Sequence, residues 1–137
     1  NVNTGGVSLT VFELVTAIFA MDNFELRKDW EERQKKYFSD DILSVTSATD
    51  FLTACTLLSS YEKGGTVSCK KKDVLNLTLA EYQQYADDLT EGFVEAEKIL
   101  QEERIFSSKD LPYTTQLIPL AVLCTLLADH NRIKTTK

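Results

Sequence analysis

The residues of this chain that could do chemistry fall into a few short groupings. Asp87, Glu91 and Glu95 recur every four residues, with Asp88 beside the first. On a helix that spacing puts three carboxylates on one face. Carboxylates so placed can hold a divalent cation or work as an acid/base pair. No histidine or second carboxylate motif accompanies them, so they read as a solvated acidic face, with metal-dependent hydrolysis as the sharper alternative. Lys70-Lys71-Lys72 is the only basic run; it can touch a phosphate or an acidic neighbour, and its plainer reading is a solvated face. Asn3-Thr4-Gly5-Gly6 forms a turn whose amides, backed by the next helix, can face an anion. Two adjacent glycines lack the Walker spacing and its lysine, which favours an ordinary tight turn. His130 is the only histidine. It lies near the end of the last helix, where a cationic form suits the dipole. No cysteine or serine motif partners it, and no residue is assigned a catalytic role or a place as a metal ligand.

The three cysteines, Cys55, Cys69 and Cys124, have no CxxC spacing, and their odd number does not suit a disulfide framework. Cys55 and Cys124 sit in apolar stretches and read as core residues. Cys69 adjoins the lysine run, which would lower its thiol pKa if it is exposed. The set points to a reducing cytoplasm.

A length of 137 residues suits one domain. Such a chain buries roughly two thirds of its unfolded surface, enough for a core without staples. A net charge of -6 argues against a stand-alone nucleic-acid binder; contact with DNA through a local patch or a neighbouring domain stays open. No signal peptide is visible. The longest apolar run, Leu117 to Ala128, is too short for a membrane span, which needs about 20 residues.

The elements that must position these residues are helical. Thr10 with Glu13 has capping-box spacing and opens a helix over Val11 to Met21. Asn23 is placed to cap a second helix, from Phe24 to Phe38, in which Trp30 anchors one buried stripe. Ile42 to Ser47 is short and β-branched, either extended or a helical turn. Ser47 with Asp50 opens a third helix that ends near Ser60, before the Gly64-Gly65 loop. Ser68 can cap a short helix from Lys70 to Leu75. Thr78 with Glu81 opens a long helix from Leu79 to Arg104, interrupted at Gly92, where a kink or a close helix contact is expected. A last helix starts at Thr114 or Thr115, tolerates Pro119 in its first turn, and is apolar nearly all round, as a central core helix would be. The tail from Asn131 is polar and basic and should fray. The reading is an all-α fold: one helical domain over residues 1–137, with five to six helices in an orthogonal or irregular bundle and an extended N-terminal segment.

Two stretches, with a third between them, resemble a known family. They are Val2-Asn3-Thr4-Gly5-Gly6-Val7-Ser8-Leu9-Thr10 running into Phe12-Glu13-Leu14, and Lys109-Asp110-Leu111-Pro112-Tyr113-Thr114-Thr115-Gln116-Leu117-Ile118-Pro119-Leu120. Val67-Ser68-Cys69-Lys70-Lys71-Lys72-Asp73 lies between. Together they resemble the ParB/sulfiredoxin-like proteins of GmrSD-type restriction systems, over nearly the whole chain. The resemblance implies a parent with an N-terminal ParB-like α/β core that carries an Asp-Gly-Gln-Gln-Arg motif linked to nucleotide hydrolysis, and in some members an HNH-type nuclease domain. Gln83-Gln84 lacks the flanking residues of that motif. The chain therefore resembles the helical region after the core. Its missing initiator Met and its Gly-Gly turn with no element before it fit a piece of a larger protein, with residues 1–9 ending the core. By the same resemblance Asn3, Thr4, Gly5 and Gly6 lie near the nucleotide site of the parent, and NTP and Mg belong to the parent.

The function expected is a non-catalytic helical domain of an NTP-dependent, DNA-targeting restriction or phage-defence protein. It would position DNA, couple nucleotide state to the nuclease, or mediate oligomerisation. Lys70, Lys71 and Lys72 are its candidate phosphate contacts. The alternative is a stand-alone helical protein–protein interaction module. Val7, Leu9 and Val11 are candidates for an apolar surface that a homodimer would cover.

Overall fold

Three hydroxyl-x-x-acid boxes are the strongest local signals in the chain, and each opens a helix. The computed structural model describes residues 3–4, 7–39, 41–103 and 116–135. A two-residue pair, β1 (Asn3–Thr4) and β2 (Val7–Ser8), precedes α1 (Val11–Ala20) and α2 (Leu26–Tyr37). A 3-10 turn, Asp41–Val45, leads to α3 (Ala48–Lys63), α4 (Lys71–Leu75), α5 (Leu79–Glu102) and α6 (Leu117–Thr135). Thr10 with Glu13, Ser47 with Asp50, and Thr78 with Glu81 close reciprocal boxes at the starts of α1, α3 and α5. In each, the hydroxyl accepts the third amide at 3.1 Å and the acid accepts the cap amide at 2.8 to 3.0 Å. Two orphan amides are satisfied each time. The fold is all-α, an irregular bundle around one continuous apolar core.

Asn23 departs from the expectation that it caps the second helix. Its φ is +62°, and it ends the first helix instead. The Phe24 amide donates to Phe19 O at 3.2 Å and the Asn23 amide to Ala20 O at 3.0 Å, the paired bonds of a Schellman motif. Asparagine tolerates the left-handed region because its short polar side chain bonds locally. The Phe19 and Phe24 rings then meet edge to face at 6.2 Å, the apolar contact that accompanies such a stop. The second helix begins later, after Glu25, with no side-chain cap.

Other boundaries move for identifiable reasons. The third helix runs past Ser60 to Lys63, and Gly64 and Gly65 at φ +77° and +78° turn the chain away. Ser68 does not cap α4 directly. Its hydroxyl donates to Asp73, whose carboxylate reaches back to the Lys70 amide at 2.9 Å. The Ile42 stretch is the 3-10 turn, with Ile42 and Leu43 buried. The long fifth helix ends at Glu102; Arg104 lies outside the described residues, as do Thr114, Thr115 and most of the Leu111–Leu117 segment. The last helix does not fray at Asn131 but continues to Thr135.

The core is an aromatic cluster. Trp30 of α2 meets Phe38 at 5.3 Å and Phe51 of α3 at 5.4 Å, and Phe38 meets Phe93 of α5 at 5.3 Å. Tyr82 meets Phe19, Phe24 and Phe51 at 5.8 to 6.1 Å. Cys55 and Cys124 are buried, as their apolar neighbours imply. Leu9 and Val11 are half-buried rather than bare. The largest helix interface is between α5 and α6, and α3 packs on both. It is set by Gly92. A Cβ added there would stand 2.1 Å from Thr125 Oγ1 and 2.6 Å from Ala121 O. The Thr125 hydroxyl is itself held to Ala121 O at 2.9 Å. The close-contact expectation for Gly92 is thus met. The expectation that α6 is wholly central is not: Ala121, Val122, Cys124 and Thr125 are buried, whereas Leu123 and Leu127 are about half exposed.

Gly92→Ala should therefore destabilise the protein. Helix propensity favours Ala by about 1 kcal/mol, but overpacking against a backbone carbonyl costs about 1–3 kcal/mol or more. A net loss of about 2 kcal/mol is expected in urea unfolding. Thr125→Ala in the same background should recover only part, because the Ala121 carbonyl remains in the way.

Candidate functional site

The acidic face of α5 begins with Asp87, and Asp87 is committed to an ion pair. Asp29 and Arg33 lie four residues apart on α2, so both point at α5. Arg33 Nη1 donates to Asp87 Oδ1 at 3.0 Å, Thr90 Oγ1 at 2.7 Å and Ala86 O at 3.3 Å. Its Nη2 reaches Asp29 Oδ2 at 3.2 Å. The Tyr82 hydroxyl donates to the same Asp29 oxygen at 2.5 Å. The guanidinium lies 5.4 Å from the centre of the Phe51 ring. Its side chain is only 11% exposed. Burial works against the Arg33 charge, and the oxygens of Tyr82 and Asp29 more than offset it, so the guanidinium stays firmly protonated. Burial and the Asp29 carboxylate both push the Tyr82 phenol far up. The arrangement is a clamp between α2 and α5, and neither group is poised for proton transfer near neutral pH.

The remaining carboxylates of that stripe do not converge. Glu95 lies 3.9 Å from Lys98 on the same helix. Among the described residues no group of three or more His, Cys, Asp or Glu side chains is arranged to hold a metal ion. His130 is on α6, and its side chain lies outside the described residues. Burial pushes the Cys55 thiol far up, away from the thiolate a nucleophile needs.

A second polar cluster sits where α3, α4 and α5 meet. Glu81 is both the acid of the α5 capping box and a bridge to α3. It accepts from Ser59 Oγ at 2.8 Å and from Lys63 Nζ at 2.6 Å. Burial raises its pKa, but the bonds from Lys63, the Thr78 amide and Ser59 outweigh this and hold it at about 2. Glu81 in turn raises Lys63. Asp73 is held low by the Ser68 hydroxyl first, then by the Lys70 amide and the charges of Lys72 and Lys70. Between these groups lies a cavity of about 180 Å³, walled also by Ser60, Thr66 and Asn76. Lys70, Lys71 and Lys72 are exposed at the start of α4, and Cys69 before them is half-buried. The sequence-predicted lysine run is thus at the surface beside this cavity, where two of its members support Asp73. Helix α4 packs on α1, the helix that follows the N-terminal strand pair.

Asn3 and Thr4 form β1, with Asn3 opposite Ser8 and Thr4 opposite Val7. Gly5 and Gly6 lie outside the described residues. Sequence alone does not single out Arg33, Tyr82 or Lys63. The i, i+4 spacing of Asp29 and Arg33 is the available signal for the first; nothing local foretells that Tyr82 or Lys63 meets its acid. A comparison of the chain with family models, with curated proteins and with solved structures finds no match.

Two outcomes follow from these clusters. Arg33→Met should cost about 3 kcal/mol in urea unfolding, since a partly buried carboxylate loses its cation. Arg33→Lys should restore less than half, because one ammonium cannot span four acceptors on two helices. The second outcome concerns acid. Glu81 titrates below its ordinary value of 4.5, at about 2, so its contribution to stability is complete above pH 4.5 and disappears as pH falls toward 2. Thermal melts of Glu81→Gln should show a shallower loss of stability across that window than the parent chain.

Proposed function

We propose that this chain is a non-catalytic helical region of an NTP-dependent, DNA-targeting restriction or phage-defence protein. It positions DNA or couples nucleotide state to a nuclease elsewhere in the parent. The reading of the parent rests on the Asn3-Thr4-Gly5-Gly6 and Leu111-Pro112-Tyr113 stretches and on the basic run between them. The observation that carries the non-catalytic part is where the strongly shifted groups lie. Glu81, Tyr82 and Cys55 are accounted for by a helix cap, an interhelical clamp and core burial. Such groups serve packing rather than turnover.

On this reading Lys70, Lys71 and Lys72 supply phosphate contacts from an exposed helix start. Asn3, Thr4, Gly5 and Gly6 join a ParB-like core at its nucleotide site, and NTP and Mg are bound by that core. The parent's partners are DNA and an HNH-type nuclease domain, in the cytoplasm. Among the described residues no helix is long and apolar enough to cross a membrane. The overall charge of -6 makes the lysine run a local patch, not a general attraction. The second reading, a helical protein–protein interaction module, is favoured by a separate feature: an apolar groove left open between α3 and α6.

The test is fluorescence anisotropy with a labelled duplex across a salt series. Replacing Lys70, Lys71 and Lys72 with Ala should weaken binding and flatten the salt dependence by roughly 0.9 for each phosphate no longer neutralised. Unchanged binding in the triple variant would remove the phosphate role. NTP hydrolysis or DNA cleavage by the purified chain would overturn the non-catalytic part.

A further inference from the structure

The polar cavity where α3, α4 and α5 meet has walls with little left to donate. Each hydroxyl carries one proton and two lone pairs, and here the protons are already placed. Ser59 donates to Glu81 Oε2 at 2.8 Å, Ser68 to Asp73, Thr56 to Leu52 O at 2.8 Å and Ser60 to Thr66 O at 3.4 Å. What these oxygens still offer is lone pairs. The Glu81 and Asp73 carboxylates stand in the same walls, and both titrate below their ordinary values. The donors that remain are Lys63, Asn76 and the Thr66 hydroxyl. Two carboxylates against one ammonium leave the lining rich in acceptors and net negative. The space of about 180 Å³ holds a small organic ion, since one water needs only about 10–15 Å³ of it.

The protein supplies its own example of an occupant. The Lys63 side chain is 66% exposed, yet its ammonium turns onto Glu81 Oε2 at 2.6 Å, where Ser59 also bonds. One carboxylate with its serine hydroxyl thus already holds a primary ammonium. Asp73 with Ser68 repeats that pairing on another wall of the cavity. Ser60 adjoins them, because its oxygen accepts the Ser68 amide at 2.9 Å.

We propose that this cavity binds a small primary amine in its ammonium form, held by Asp73 and the hydroxyl oxygens of Ser60 and Ser68. Three acceptors match the three N–H donors of such a group, and one of them is charged, which strengthens the bond. Leu77, buried in the same wall, gives the carbon stem an apolar surface. A bare metal ion makes no use of that surface, and among the described residues no metal-holding group of acids gathers. Lys70 and Lys72 act on Asp73 through space, but they stand outside the lining and are exposed, so water and salt screen them.

The probe is ethylammonium chloride, titrated into the isotope-labelled chain at constant ionic strength and followed by amide NMR shifts. So few atoms limit its affinity to about millimolar. Saturable shifts are expected at Ser60, Ser68, Asp73 and Asn76. Tetramethylammonium, which has the charge without an N–H, should produce none. Asp73→Asn keeps an acceptor for the Lys70 amide and removes the charge; it should weaken binding about tenfold. Lys63→Met changes an exposed side chain, frees Glu81 from its own ammonium, and should tighten binding about threefold or more. Glu91→Gln removes an equal charge from an exposed position outside the cavity and should change nothing. The amide spectrum of each variant reports its folding, and Lys63→Met decides the matter where Asp73→Asn does not fold. Absence of saturable shifts overturns the proposal, as do equal shifts with tetramethylammonium or potassium. So does a Lys63→Met chain that binds no tighter, or a folded Asp73→Asn chain that binds as well as the parent.

Discussion

At Gly92 the backbone of α5 lies against α6 with no side chain between them. Thr125 Oγ1 and the Ala121 carbonyl occupy the space that a Cβ would need. The close approach does two things. It lets small and polar residues, Gly92, Thr90, Ala121 and Thr125, be buried without large cavities. It also fixes the rotation of α5, which decides where every other side chain on that helix points. Tyr82 and Phe93 face the aromatic core, Glu81 faces α3, and Asp87 faces α2. The remaining helices are arranged around a helix whose orientation a missing side chain has set.

Two polar contacts then tie that helix to its neighbours, and they differ in kind. Glu81 is anchored at the start of α5 by its own capping box and meets Lys63, whose side chain is largely exposed. Burial is the largest influence on the Glu81 charge and opposes it; Lys63 is the strongest of those that favour it. As an exposed cation Lys63 is screened by solvent, so the cap and Ser59 share in what Glu81 contributes. Arg33 is nearly buried. Its charge is held by acceptors on two helices and by the face of Phe51. A buried charge is tolerable only when its donors are used in that way. The first contact makes the helix start; the second fixes the distance between helices.

The sequence was most legible where the interactions are local. Thr10 with Glu13, Ser47 with Asp50 and Thr78 with Glu81 each involve residues three apart, and all three appear as read. Gly92 was legible as an anomaly, because a glycine within a strong helical pattern needs a reason. Asn23 misled because asparagine serves two opposite roles, before a helix in extended backbone and after one in left-handed backbone. The choice was made by Phe24, which gains contacts with Phe19 and Tyr82 only if the first helix stops there. Leucines 123 and 127 misled differently. Composition says that α6 is apolar, but only packing says how many neighbours it has. As for the polar clusters, the acidic repeat at Asp87 drew attention because of its spacing, while the residue that explains Asp87 is Arg33, 54 positions away.

The surface left over divides into regions of different electrical character. The outer face of α5 is acidic, the start of α4 is basic, and the α3–α6 groove is neutral and apolar. Each repels what another attracts. The first favours cations and the second anions, while a charged partner of either sign gains nothing from the third. The strongly shifted titratable groups Glu81, Tyr82 and Arg33 hold helices together, and the fold presents three distinct surfaces at fixed angles. The bare backbone at Gly92 and the Arg33 guanidinium, bonded to both α2 and α5, are what keep the helices at fixed distances.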